Sequence, residues 1–220
     1  MNSVKCKRLK VKVCGMRDAE NISQICQAKP DYMGFIFFSG SSRYIGEDPD
    51  PSVFNNVSAG ILKVGVFVNE TTNKIISIQK KYHLDIIQLH GKESVEECKE
   101  LQENNIKVIK VFSVGEDFDF NSLKNYETFV DYFLFDTKGK LYGGNGKKFN
   151  WSVLNRYKGP VPFFLSGGIG PSDAEEINKF DHTFCFAVDV NSGFEIKPAF
   201  KDPQKVEAFI QSVRKEHRQL

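Results

Sequence analysis

The chain has 220 residues, of which 40% are hydrophobic and 26% are charged, and its formal net charge is +2 at pH 7. This length suits one large domain or two small ones. Lys and Arg are scattered along the chain rather than gathered into a stripe, which argues against a nucleic-acid partner.

Cysteine usage and hydropathy indicate the compartment. The five cysteines are odd in number and show neither a C-x-x-C pair nor the spacing of a metal site. Such usage is typical of reduced thiols in the cytoplasm. No stretch reaches the ~20 apolar residues needed to cross a bilayer, and the polar N-terminus lacks the apolar core of a signal peptide. We therefore expect a cytoplasmic protein with no membrane partner and no metal.

Eight short apolar or alternating runs follow one another, and their starts are about 20 to 30 residues apart. Each interval can hold a loop, a helix and a second loop, which is the rhythm of repeated βα units and of a parallel sheet. The predicted strands are Leu9–Cys14, Tyr32–Phe37, Ile61–Val68, Ile86–Leu89, Val108–Phe112, Tyr132–Phe135, Val161–Leu165 and Thr183–Val190.

Helix signals stand in several of the intervals. Asp18 can cap a helix, because its carboxylate can accept hydrogen bonds from the free N–H groups of a first turn. Two Ser-x-x-Glu sequences, from Ser94 to Glu97 and from Ser172 to Glu175, are typical capping boxes. The second and fifth helices are poorly marked.

The last helix has the clearest signals. Asp202 is the expected N-cap, and Pro203 suits the first helical position, where no backbone N–H is needed. Apolar residues then recur at helical spacing from Val206 to Val213. This pattern predicts an amphipathic helix.

Eight strands with helices between them leave two main arrangements, a closed barrel and an open doubly wound sheet. The count of eight favours the barrel, as does the absence of a G-x-G-x-x-G sequence after the first strand. No linker or low-complexity segment interrupts the chain. We therefore predict an α/β fold in which residues 1–220 form a single (β/α)8 barrel domain.

The active site of such a barrel lies at the C-terminal ends of its strands, so the residues that follow each run are the candidates. These residues form a polar and chemically mixed ring, whereas a chance set would more often be Asn, Ser and Gly alone. The ring consists of Cys14, Gly15, Ser41, Ser42, Arg43, Asn69, His90, Gly91, Asp136, Ser166, Gly167, Gly168, Asp189, Ser192 and Gly193.

One carboxylate and two glycine-rich loops carry most of the chemical signal. Asp136 ends an apolar run, as expected of a reactive group on a buried strand, although an isolated Asp more often caps a turn. The loops Ser166–Gly168 and Asn191–Gly193 expose backbone N–H groups without side chains in the way, which suits a phosphate. Either loop alone is more typical of a tight turn, and their adjacent positions favour the phosphate site.

Five segments of the chain together form a specific pattern. They are Lys12 to Gly15, Gln88 to Gly91, Gly143 to Gly146 with Trp151 downstream, Ser166 to Ile169, and Val188 to Glu195. In this order and spacing they resemble the phosphoribosylanthranilate isomerase family of tryptophan biosynthesis. The resemblance extends from about residue 10 to about residue 213.

The resemblance implies a TIM barrel that converts N-(5'-phosphoribosyl)anthranilate to 1-(2-carboxyphenylamino)-1-deoxyribulose 5-phosphate by an Amadori rearrangement, without a metal or cofactor. It assigns Cys14 as the general base and Asp136 as the general acid. It also assigns Arg43 to the anthranilate carboxylate. The phosphorylated small-molecule substrate is the expected partner, and the chain is expected as a monomer or a homodimer.

The resemblance further implies a set of substrate-binding residues. The phosphate falls to the loops at Gly167–Gly168 and Ser192–Gly193, and His90 lies at the rim of the barrel. The remaining members of the predicted site are Gly143, Gly144, Ser166, Asp189 and Asn191. The chain departs from the common family pattern at Ser42, Asn145 and Asn191, where Pro, Thr and Ser are usual.

The chemistry explains why a thiol and a carboxyl group are needed. An acid protonates the furanose ring oxygen so that the ring opens to a Schiff base, and a base then removes the proton at sugar C2. The resulting enolamine tautomerises to the ketone. Residues after strands one and six can flank the sugar from opposite sides of the barrel mouth.

Two other functions and several plainer residue roles stay open at this stage. Another phosphosugar barrel, such as an epimerase or a thiamin-phosphate-type synthase, would share the phosphate loops. A ligand-binding barrel without turnover would share them too. Arg43 could be a solvated cation, His90 a structural imidazole, and Asp189 a residue that orients loops.

Overall fold

The computed structural model describes residues 8–137 and 150–215, and eight parallel strands in these residues form a closed barrel. Neighbouring strands pair in sequence order, and the eighth pairs with the first. Each predicted run overlaps one strand, and β5 and β6 extend beyond their runs, so the predicted fold is confirmed. The strands are β1 Lys10–Val13, β2 Tyr32–Ile36, β3 Leu62–Phe67, β4 Ile86–Leu89, β5 Lys107–Val114, β6 Tyr132–Thr137, β7 Phe163–Leu165 and β8 Cys185–Val190.

The helices lie in the intervals between strands and after β8. They are α1 Ala19–Gln27, α2 Ser52–Asn55, α3 Thr72–Tyr82, α4 Val95–Glu103, α5 Ala174–Lys179 and α6 Pro203–Val213. The poorly marked second interval holds the short α2, and the fifth holds a 3-10 helix, Phe120–Asn125. A second 3-10 helix, Trp151–Arg156, precedes β7. Within the described residues, none of the helices has the length and apolar character of a membrane span.

Most of the predicted helix caps are confirmed. Asp18 accepts a hydrogen bond from the Asn21 N–H at 2.8 Å. Ser94 and Glu97 form both bonds of the capping box, at 3.3 and 2.6 Å. Asp202 caps α6 by accepting from two backbone N–H groups. These bonds satisfy donors that a helix start leaves free, and so they fix where each helix begins.

The capping box predicted at Ser172 is wrong. Pro171 opens a 3-10 turn, Pro171–Asp173, and α5 begins only at Ala174. Ser172 therefore lies inside the turn rather than before the helix. The neighbouring Asp173 carboxylate instead accepts the Gly170 N–H at 2.6 Å, which closes the turn.

The barrel has one apolar layer inside and a larger one outside. Alternate side chains of a parallel strand face opposite sides, so both faces of every strand are buried and the strands read as apolar runs. The outer layer packs the strands against the helices. The inner layer consists of Tyr32, Val64, Ile86, Ile109, Val111, Leu134, Phe164 and Ala187. Above it, Cys14, Ile36 and Val66 form a small apolar cluster near the mouth.

A buried ion pair fixes the loop between β4 and α4. The Lys110 Nζ lies 2.7 Å from Glu93 Oε2, and the two side chains are 2% and 1% exposed. Glu93 also accepts the backbone N–H groups of Asn69 and Gly91. Because a charge in the interior is costly unless paired, this pair makes the loop conformation depend on both partners.

We predict that Glu93→Gln lowers the free energy of unfolding by about 3–5 kcal/mol, because it leaves the buried Lys110 ammonium without a counter-charge. Equilibrium urea unfolding measures the change. Glu103→Gln is the matched control, since its partner Lys99 is 3.8 Å away and both side chains are more than half exposed. The control should cost less than about 1 kcal/mol. Equal losses in the two variants would contradict the prediction.

Candidate active site

A pocket of about 710 Å3, including its open mouth, lies at the C-terminal ends of the strands. It brings together most of the predicted site residues from six strand ends. Those that line it are Cys14, Arg43, His90, Asp136, Ser166, Gly167, Gly168, Asp189, Asn191 and Ser192. Gly143 and Gly144 lie outside the described residues. Apolar residues, including Ile36, Phe38, Val66 and Ile169, complete the wall.

Cys14 follows β1 and is almost wholly buried, at 4% exposure. It lies against Gly34 of β2, where an added Cβ would come within 2.7 Å of the Cys14 Sγ. Burial raises the pKa of the Cys14 thiol above its ordinary value, while Lys12 acts in the opposite direction. The thiol is therefore the resting form at neutral pH. Lys12, rather than Arg43, is the principal cation that favours the thiolate.

Lys12 lies on β1, two residues before Cys14, and its side chain points to the same inner side of the barrel. It forms a buried ion pair with Asp189 of β8. Its Nζ is 2.8 Å from Asp189 Oδ1, and the two side chains are 0% and 8% exposed. Burial alone would lower the pKa of Lys12, but Asp189 and the Cys14 sulfur raise it, so the side chain is an ammonium. Lys12 was missed as a site residue from sequence. A charged side chain at an inward position of an apolar strand was the available signal.

Asp136 and His90 are neighbours across the pocket. The Asp136 Oδ1 accepts the Thr137 N–H at 2.8 Å, and its Oδ2 is 3.5 Å from the His90 Nε2. On its other side, His90 Nδ1 is 3.2 Å from the Gln88 Nε2. When Gln88 donates to Nδ1, the imidazole proton lies on Nε2 and faces Asp136. His90 therefore stands beside the carboxyl group rather than apart from the site.

Gln88 is, after Lys12, a second residue of the site that was not identified individually from the sequence. It is 1% exposed and lines the pocket. Among the described residues, its Oε1 has no hydrogen-bond partner. A buried acceptor without a partner is costly, so a donor on a bound ligand would improve its environment.

Arg43 is not a solvated cation. Its Nε and Nη2 donate to the two oxygens of Glu195 at 2.8 and 2.7 Å, and the side chains are 15% and 7% exposed. Its stem passes directly over Gly15, where an added Cβ would lie 2.7 Å from the Arg43 Cδ. Gly15 also has a φ of +76°, which side chains rarely adopt. Glycine at this position is what lets the arginine reach the mouth.

The two glycine loops lie side by side. Gly167 and Gly168 have φ values of +95° and +69°, and both line the pocket. Gly193 does not line it. A Cβ added to Gly193 would lie 2.6 Å from the Ile169 oxygen, so this glycine allows the loop after β8 to touch the loop after β7.

Five members of the predicted polar ring do not line the pocket: Gly15, Ser42, Asn69, Gly91 and Gly193. Asn69 does not line the pocket, and its Oδ1 accepts the Lys92 N–H at 2.7 Å. Its N–H binds Glu93, so Asn69 fixes a neighbouring loop. Among residues 8–137 and 150–215, no group of three or more His, Cys, Asp or Glu side chains is placed to hold a metal ion.

The family model for N-(5'-phosphoribosyl)anthranilate isomerase matches residues 11–212, which include every strand of the barrel except the start of β1. The chain belongs to this family. A phosphoribosylanthranilate isomerase from Parabacteroides distasonis is 44% identical over 204 residues, covering 92% of each chain. The enzyme from Phocaeicola vulgatus is also 44% identical, covering 93% of this chain and 97% of its own.

Solved structures of phosphoribosylanthranilate isomerases agree with the fold. That of the Thermotoga maritima enzyme has a TM-score of 0.81 at 34% identity and covers 93% of this chain and 98% of its own. Another has a TM-score of 0.78 at 32% identity, with the same coverage, and holds reduced 1-(o-carboxyphenylamino)-1-deoxyribulose 5-phosphate. A third, also from T. maritima, is described as a monomer generated from a dimeric isomerase.

Family membership decides the activity. The chain is a phosphoribosylanthranilate isomerase of tryptophan biosynthesis, which converts N-(5'-phosphoribosyl)anthranilate to 1-(2-carboxyphenylamino)-1-deoxyribulose 5-phosphate. The two alternatives, another phosphosugar barrel and a barrel without turnover, are thereby set aside. The pocket at the strand ends is the place in the barrel where this chemistry is expected.

We predict that Gly167→Val weakens the binding of a phosphorylated substrate analogue by at least about tenfold, or about 1.4 kcal/mol. A side chain there would collide with the Thr137 hydroxyl and nitrogen, so the loop must move. Isothermal titration calorimetry with the reduced product measures the affinity. Gly60→Val is the matched control, because Gly60 has a similar φ of +90° but open space around it. Equal affinity in both variants would remove Gly167 from the phosphate site.

Proposed function

We propose that Asp136 is the general acid and Cys14 the general base of the isomerisation. The observation that carries the proposal is that both side chains line one pocket together with the two glycine loops. β1 and β6 are separated by two strands in one direction around the barrel and by four in the other. A sugar bound between their ends can therefore meet the two groups from different sides.

In the first step, Asp136 gives its proton to the furanose ring oxygen, and the C1–O bond breaks to form a Schiff base. The carboxyl group must hold one orientation to do this. Its Oδ1 bond to the Thr137 N–H and the His90 imidazole beside Oδ2 support that orientation. After the step, the His90 N–H stabilises the carboxylate.

In the second step, the Cys14 thiolate removes the proton at sugar C2, and the electrons of the C–H bond flow toward the Schiff-base nitrogen. The resulting enolamine then tautomerises to the ketone. The positive nitrogen acidifies the C2 proton, so a modest base suffices. Lys12 and, more weakly, Lys201 favour the thiolate and offset part of the cost of its burial.

Binding is assigned to three groups around the mouth. The phosphate is held by backbone N–H groups of the loops Ser166–Gly168 and Asn191–Gly193. Arg43 binds the anthranilate carboxylate. The Gln88 Oε1, which has no partner in the described part of the chain, accepts a hydrogen bond from a hydroxyl of the opened sugar. Asp189 acts mainly through Lys12. Gly143 and Gly144 keep the substrate-binding role that the resemblance gives them.

We also propose that the enzyme is one domain, works in the cytoplasm and needs no cofactor. The reduced cysteines and the biosynthetic pathway support the compartment. Monomer and homodimer are both compatible with the family, since a dimeric form is described for a relative. Sedimentation equilibrium distinguishes them.

We predict that Asp136→Asn lowers kcat by about 10²–10⁴-fold, because the amide keeps the shape and cannot give up a proton to the ring oxygen. Steady-state kinetics with freshly prepared substrate measures the change. Asp119→Asn is the control. Asp119 is an exposed helix N-cap outside the pocket, and asparagine retains the side-chain oxygen that accepts the capping hydrogen bond. Near-normal kcat in the Asp136 variant would show that another group is the acid.

We predict that Cys14→Ser also lowers kcat by about 10²–10⁴-fold, because a hydroxyl is a far weaker base than a thiolate. Cys185→Ser, outside the pocket, should leave kcat unchanged. In the wild type, inactivation by iodoacetamide should accelerate about tenfold per pH unit from about pH 7 to about pH 9, because the raised pKa keeps the thiolate a minor form. Bound reduced product should slow it. Alkylation of Cys14 without inhibition would refute the assignment.

A further inference from the structure

Glu195 holds the arginine that faces the substrate. It begins β9, Glu195–Lys197, which pairs with β10, Phe200–Lys201, in a small hairpin after β8. Both of its carboxylate oxygens bind Arg43, one to Nε and one to Nη2. Within the part of the chain that the structure describes, Nη1 and the second proton of Nη2 remain available as donors of the guanidinium. Those two donors form the outer fork of the group.

Two further donors fix the carboxylate itself. Its Oε1 accepts the Lys201 Nζ at 2.6 Å and the Ala199 N–H at 3.0 Å. Arg43 and Lys201 together lower the pKa of Glu195 despite its burial, so it is ionised. A carboxylate with this many donors has little freedom to turn. Glu195 is therefore a fixed anchor rather than a mobile counter-ion.

The same lysine reaches the loop after β8. Lys201 is 0% exposed, and its Nζ also donates to the Asn191 Oδ1 at 2.6 Å. Asn191 lines the pocket and begins the second glycine loop. One continuous set of bonds thus runs from Arg43 through Glu195 and Lys201 to the proposed phosphate loop.

We propose that Glu195 is a positioning residue that sets the specificity for the aromatic carboxylate, by turning the outer fork of Arg43 toward it. Lys201 joins this subsite to the phosphate loop through Asn191. The inference rests on the proposed role of Arg43 and adds the residue that gives the guanidinium its orientation. A bidentate carboxylate needs both donors of a fork in one plane, so orientation decides the affinity.

In a competing interpretation, Glu195 occupies the place of the substrate carboxylate on Arg43, and the substrate must displace it to bind. The geometry argues against displacement, because Lys201 and Ala199 hold Glu195 independently of Arg43. The two interpretations predict opposite signs. Removing a positioning group weakens the binding of a carboxylated ligand, whereas removing a competitor strengthens it.

The test compares two ligands on the wild type and on Glu195→Gln by isothermal titration calorimetry. One is reduced 1-(o-carboxyphenylamino)-1-deoxyribulose 5-phosphate, and the other is its phenylamino analogue without the carboxyl group. We expect the variant to bind the first at least about tenfold more weakly, about 1.4 kcal/mol, and the second within about twofold of the wild type. Equal weakening of both would mean a merely structural role, and tighter binding of the first would mean competition. Either result overturns the proposal.

Control variants separate this inference from the function on which it rests. Arg43→Ala should lose affinity for the carboxylated ligand alone, and if it does not, the role proposed for Arg43 fails. If Arg43→Ala discriminates between the ligands and Glu195→Gln does not, only the inference fails. Glu207→Gln, on an exposed face of α6, should change neither affinity.

A second variant covers the case in which Glu195→Gln does not fold. Glu195→Gln combined with Lys201→Met removes one negative and one positive charge, so it leaves the net charge unchanged and no buried lysine unpaired. Loss of the Lys201 bond to Asn191 can weaken both ligands equally, so the expected result is a fall of at least about tenfold in the ratio of the two affinities. Unchanged discrimination between the two ligands in this double variant would equally overturn the proposal.

Discussion

The ion pair between Lys12 and Asp189 lies at the seam where the barrel closes. β1 and β8 are distant in sequence, and their register sets Lys12 directly opposite Asp189. Both charges are buried, and a shift of one residue would turn one of them to the outer face and leave the other without a partner. The register of the two closing strands therefore depends on this ion pair. Cys14 directly follows β1, and the glycine loop Asn191–Gly193 directly follows β8.

This seam also determines the state of the thiol. Burial raises the pKa of Cys14, and the ammonium of Lys12 limits the rise. The proposed mechanism requires a proton on Asp136 and a negative charge on Cys14. The form with the proton on Cys14 and the charge on Asp136 contains the same number of protons. Because the two forms differ only in where one proton lies, their ratio does not change with pH. A raised pKa of the Cys14 thiol therefore lowers the fraction of the enzyme in the form that the proposed mechanism needs.

Local patterns were enough to predict the barrel, because each strand is buried on both faces and each cap is formed within a few residues. The exception at Ser172 is also local, since Pro171 creates a turn that the Ser-x-x-Glu spacing does not reveal. Most pocket residues could be predicted because they directly follow a strand in the sequence. Asn69 also follows a strand but was predicted wrongly, because its side chain binds the neighbouring loop at Lys92.

Long-range contacts could not be predicted in the same way. Arg43 and its partner Glu195 are 152 residues apart in the sequence, and Lys12 and its partner Asp189 are 177 residues apart. A sequence shows that a charged residue interrupts an apolar strand, but not which opposite charge meets it. Lys12 carried that signal. Lys201, in a short hairpin without an apolar run, carried none.

Lys201 connects the two charged regions of the site. It binds Glu195 and Asn191 at the mouth, and its charge also favours the Cys14 thiolate, though less than that of Lys12. Burial lowers the pKa of Lys201, and the Glu195 carboxylate acts in the opposite direction, which favours the ammonium form. The carboxylate that we propose to orient Arg43 therefore also stabilises a cation near Cys14, the proposed base. Because the same carboxylate pairs with both cations, a change at Glu195 that alters recognition of the aromatic carboxylate also alters the electrostatic environment proposed for proton transfer.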